Sequence, residues 1–72
     1  MAKLEEAFTV ARNYLVTDPI HADWSSVQPV AVVPTPHGMW IVACDFSRKG
    51  QQEERAIVFV NAKGEVTGFV RP

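Results

Sequence analysis

Apolar side chains occupy both parities of the chain from Met39 to Phe46 and again from Ala56 to Val60. Successive side chains of a strand point to opposite faces, so a sheet with one wet face should read as an alternation of apolar and polar residues. These two segments do not alternate. A sheet built on them needs cover on both faces, and a chain of 72 residues has little left to provide it.

One cover is legible near the start. Leu4, Ala7, Phe8, Ala11 and Leu15 are spaced three and four residues apart, which predicts an amphipathic helix over Lys3 to Val16. Val10 and Tyr14 flank the stripe, and Glu5, Glu6, Thr9, Arg12 and Asn13 fall on the opposite, solvated side. Glu5 and Glu6 also sit in the first turn, where the helix dipole favours anions. Asp18-Pro19 stops the helix, because proline lacks an amide donor and disfavours helical geometry in the residue before it. Ile20 to Ser26, without periodicity and rich in turn formers, reads as a loop.

Strands follow. Val27 to Val33 is rich in valine, but Pro29 cannot donate to a ladder and so belongs at a sheet edge or a bulge. Pro34-Thr35-Pro36-His37-Gly38 breaks it, and Ser47 to Glu53 forms a polar hairpin loop between the two apolar strands. Asn61-Ala62-Lys63-Gly64 has the pattern of a type I turn closed by a left-handed glycine, leading into a last strand from Glu65 to Val70. The fold class expected is α+β, a single domain over residues 1–72. It has one N-terminal amphipathic helix packed on a three- to four-stranded antiparallel β-meander.

Nearest-neighbour hairpins set Asp45 against Arg55 and Val42 against Val58, then Val60 against Val66 and Ile57 against Phe69. One face then carries Trp40, Val42, Cys44, Phe46, Ala56, Val58 and Val60, with Val66, Gly68 and Val70. The small residues Cys44, Ala56 and Gly68 mark it as the face the helix approaches. The other face, Met39, Ile41, Ala43, Ile57, Phe59 and Phe69, has no lid inside the chain. Its cover must come from a partner, most simply a second copy in a two-fold homodimer with Met39, Ile41, Ile57, Phe59 and Phe69 at the interface.

Composition narrows the function classes. A net charge of −1 with interspersed signs lacks the basic stripe of a nucleic-acid binder. No apolar run approaches the ~20 residues of a membrane helix. With 47% hydrophobic residues the chain is not of the disordered type. Cys44 is the only cysteine, which excludes an internal disulfide and suits a reducing compartment. Glu5 and Glu6 interrupt what a secretory leader would require, so a cytoplasmic location is expected.

The order of helix, loop, edge strand and Met39-Trp40-Ile41-Val42, closed by Ile57-Val58-Phe59-Val60-Asn61-Ala62-Lys63-Gly64-Glu65-Val66, resembles a PepSY-type domain, a small module of a helix and three strands. Asn61 stands where that family usually has aspartate, the turn is one residue shorter, and no secretory signal is expected. The topology is also similar to a trimmed cystatin-like or nuclear-transport-factor-like sheet. The PepSY resemblance implies a non-catalytic domain that binds or restrains a partner, peptidases being the suggested targets.

Catalytic constellations are weak, and no enzyme is expected. Cys44 with His21 or His37 could be written as nucleophile and base, yet a thiol amid apolar strand residues reads as core. His21, Asp23 and His37 could supply metal ligands, but such sparse spacing arises by chance and reads as loop polarity. Neighbouring Glu53 and Glu54 point to opposite sides of a strand and cannot share a substrate. Ser25-Ser26 has no adjacent base, and the scattered glycines form no phosphate-binding loop. No cofactor or metal is therefore assigned. Trp24 and Trp40 offer the largest contact areas, and with Tyr14 they frame the alternative to self-association, an apolar pocket for a small ligand.

Overall fold

The computed structural model describes residues 4–17 and 20–71. Lys3 and the Asp18-Pro19 helix stop lie outside them. Helix α1 (Leu4–Val16) is followed by a short 3-10 helix (Trp24–Ser26) and four strands, β1 (Gln28–Pro34), β2 (Trp40–Phe46), β3 (Glu54–Val60) and β4 (Val66–Val70). The strands form one antiparallel sheet in the order β1-β2-β3-β4, an α+β fold in which chain neighbours are sheet neighbours.

The stripe of α1 does what its spacing implies. Ala7, Ala11 and Leu15 are fully buried against Val42, Cys44, Phe46, Ala56, Val58 and Val60, while Phe8, Val10 and Tyr14 pack around them. Burying each larger side chain is worth about 1.5–3 kcal/mol. The small alanines let the helix backbone sit close over Cys44 and Ala56. Leu4, although in the stripe, is 51% exposed in the first turn of the helix.

Two expectations about polarity need correction here. Arg12, assigned to the solvated side, is half-buried, its guanidinium carbon 3.9 Å from the centre of the Trp24 ring and 5.3 Å from that of Phe8. Cation–π attraction turns it back over the loop. The loop itself is less polar than its turn formers suggested, since Ile20 and Ala22 are buried and, with Val27 just after it, close the end of the core. Asp23 caps the 3-10 helix by accepting from the Ser25 amide, and the Asp23 amide donates to the Ser47 carbonyl at 2.8 Å. Ser26 Oγ accepts from the Ser47 amide at 2.8 Å, which pins the loop to the end of β2.

Pro29 lies on an edge strand and also at a bulge, the ladder slipping between Pro29 and Ala31. The β2–β3 register is as expected, with Asp45 opposite Arg55, Cys44 opposite Ala56 and Val42 opposite Val58. The β1–β2 and β3–β4 turns are alike. In each, the first amide donates to the fifth carbonyl at 2.8 Å, Thr35 to Met39 and Asn61 to Glu65. The fourth residue is a glycine of positive φ, +80° for Gly38 and +82° for Gly64.

The β3–β4 pairing departs from expectation. Val60 opposes Val66 as anticipated, but Phe59 opposes Gly68, leaving Thr67 as an extra residue in a β-bulge. Beyond it every side chain of β4 changes face. Phe69 opposes Val58 rather than Ile57, and its ring meets Tyr14 edge-on with centroids 5.3 Å apart under the helix. Gly68 and Val70, expected beneath the helix, pair instead with Phe59 and Ile57 on the far face. The bulge lets the one aromatic of β4 join the core.

Candidate functional site

The face turned away from the helix is arranged in cross-strand rows. Val33, Ile41, Phe59 and Gly68 make one row, and Ala31, Ala43, Ile57 and Val70 the next. A third row holds Gln28, Asp45 and Arg55. Among the described residues, none on these rows is buried, and Val33 and Val70 are about half exposed. The contrast with the other face, where Val42, Cys44, Phe46, Ala56, Val58 and Val60 have no exposure, is complete. A β-carbon on Gly68 would meet Phe59 Cδ2 at 4.0 Å, so the phenyl ring lies alongside the glycine.

The polar end of this face is organised by one ion pair. Arg55 Nε donates to Asp45 Oδ1 at 2.8 Å and Nη2 to Oδ2 at 3.3 Å, a two-pronged contact. It holds the Asp45 carboxyl below the usual range and raises the Arg55 guanidinium. The Arg55 side chain is half exposed and that of Asp45 a quarter exposed, so both are open to a third group.

Of the residues singled out in the sequence, Ile41, Ile57 and Phe59 share this face. Met39 stands one position before β2, in the turn it closes with Thr35. Phe69 belongs to the helix-covered face, and the interface set is corrected accordingly. Val33, Ala31, Gly68 and Val70 were missed. Gly68 in mid-strand was the available signal, since a strand glycine marks a bulge or a close approach.

Tyr14, Trp24 and Trp40 do not assemble. Tyr14 packs on Phe69 of β4, Trp24 lies against Arg12 beside the end of β2, and Trp40 begins β2 at the opposite end of the sheet. His21, with a left-handed φ of 54°, follows the helix, while His37 is in the β1–β2 turn. About 20 Å of strand separates those two ends. Cys44 is fully buried under the helix, and loss of hydration, helped by the neighbouring Asp45 charge, pushes its thiol up to about 11. Both the burial and the raised pKa count against a nucleophilic role at neutral pH. Ser25 Oγ bonds Asp23 and Ser26 Oγ serves the loop, while Glu54 is paired with Arg48 and Arg71. Among the described residues no group of three His, Cys, Asp or Glu side chains could hold a metal ion. Nor is any helix among them long and apolar enough to cross a membrane.

No family model matches the chain, and no curated protein or solved structure does.

Proposed function

We propose that this domain is a non-catalytic protein-interaction module that associates with itself through the open sheet face. The observation that carries this reading is the pair of apolar rows across all four strands, opposite a face already sealed by the helix. Strands about 4.8 Å apart and some seven residues long give a face of roughly 400 Å² in projection, larger as accessible surface. Two such faces bury about 1,000 Å², the lower bound of specific association. An interface at that lower bound belongs with the weak, transient associations, so micromolar binding is expected. The resemblance to PepSY-type domains supports the same class, a domain that binds or restrains a partner. A lone buried thiol suits a reducing compartment such as the cytosol.

Sedimentation equilibrium from 1 to 200 µM tests the reading. The expected result is a dimer forming within that range, Phe59→Asp remaining monomeric with a helical and sheet circular dichroism spectrum, and Glu53→Ala dimerising like the wild type. A wild-type monomer at every concentration would overturn it.

A further inference from the structure

Resting on the self-association just proposed, we infer that the partner is a second copy related by a two-fold axis running parallel to the strands, midway between β2 and β3, so that Asp45 of each copy faces Arg55 of the other.

The register makes the face complementary to itself under that operation. Rotation about an axis along the strands stacks β2 on β3 of the partner and β1 on β4, and keeps each cross-strand row over its own copy. In the first row Val33 then covers Gly68, and Ile41 meets Phe59. In the second, Ala31 receives Val70 and Ala43 receives Ile57. Three of these four contacts put a larger side chain over a smaller one, as interdigitating sheet faces require. In the third row Asp45 meets Arg55, and the two intrachain pairs become a ring of four charges alternating in sign. Packed sheets usually cross at about 30°, which displaces the outer rows by a few Å, within reach of an arginine side chain.

The competing two-fold axis, in the sheet plane but across the strands, lacks this property. It reverses the rows, laying Asp45 and Arg55 over Ile41 and Phe59 and removing two charges per copy from water against apolar side chains. The exposed half of Arg55 would then gain no partner.

Two measurements on the full chain test the axis. The first mixes variants. Asp45→Arg alone and Arg55→Asp alone each set like charges against like in a homodimer, so each should dissociate at least tenfold more readily than wild type. Mixed one to one, they should form a heterodimer tighter than either homodimer, because each substituted charge meets its opposite across the interface while the intrachain repulsion persists. The second needs no charge change. Gln51 is exposed in the β2–β3 loop, and a spin label on Gln51→Cys reports the separation of the two loops. The inferred axis brings the loops together at one end, within about 25 Å of each other. The crossed axis sends them to opposite ends of a body 38 Å long. A dimer with widely separated labels, or a mixture no tighter than its components, overturns the axis and leaves the proposed function standing. A wild-type protein that never dimerises overturns both.

Discussion

Raising the pH should weaken the fold through Cys44 alone by an amount the structure sets. The thiol is fully buried and pushed up to about 11 from an ordinary 9.0, chiefly because the thiolate loses its hydration beneath α1. In the unfolded chain it ionises near the ordinary value. The unfolded state therefore loses its proton first as pH rises, so the contribution is intact below about 9 and is lost progressively toward 11. Across that window the loss approaches about 3 kcal/mol, a large share of what a core this small supplies. Alkali acts on more than this one group, so the assay must be differential. Urea unfolding of wild type and Cys44→Ala at pH 8 and pH 10.5 isolates the thiol, because the alanine variant's own cost of about 1 kcal/mol does not depend on pH. Wild type should lose about 2 kcal/mol more than Cys44→Ala between the two conditions. Parallel losses would refute the burial argument. So would maleimide labelling of the native protein at neutral pH as fast as a free thiol, since both closure of the site and a thiolate fraction roughly a hundredfold lower should slow it.

Gly64→Ala should cost about 1 kcal/mol and lower Tm by about 4–8 °C, purely from left-handed strain, since a β-carbon there meets nothing within 4 Å. Gly64→Asn should cost visibly less, asparagine tolerating that conformation; equal melting temperatures for both variants and wild type would count against the turn. Trp24→Ala should remove the contact that holds Arg12 over the loop, costing about 0.5–1 kcal/mol and speeding amide exchange in residues 20–26, read by hydrogen-exchange NMR. Phe46→Ala should cost about 3–5 kcal/mol in thermal or urea unfolding, enough to leave the domain largely unfolded at 37 °C.

The helix was legible because its partner is a flat surface and a 3.6-residue stripe needs nothing else to define it, as Ala7, Ala11 and Leu15 show. The β2–β3 register was legible because Asp45 and Arg55 fix it from one side and matched apolar pairs from the other. In β4 that logic failed. Val66, Gly68 and Val70 alternate cleanly with Thr67 and Phe69, and nothing in the pattern itself shows that Thr67 is an unpaired insertion. What decides the matter is tertiary: Phe69 gains the Tyr14 ring only if the strand slips by one residue. The open face was therefore half read, with Ile41, Ile57 and Phe59 placed and Gly68, Val70 and Phe69 interchanged. Ile20, Ala22 and Arg12 escaped for a similar reason, since burial of isolated loop residues and the stacking of a cation on Trp24 leave no periodic trace.

The position of α1 ahead of every strand has a consequence during synthesis. A helix of 13 residues is marginal in water by itself, and its seat is built from Val42 to Val60. At about 5–20 residues per second the ribosome delivers the far edge of that seat some seconds after Leu15 emerges. Through that interval the β1–β2 hairpin can close from local contacts, whereas the helix stripe has nothing to settle on. The helix thus waits for its seat until β3 has emerged, and a nascent chain halted near Gly50 would carry an unprotected amphipathic segment for chaperones to bind.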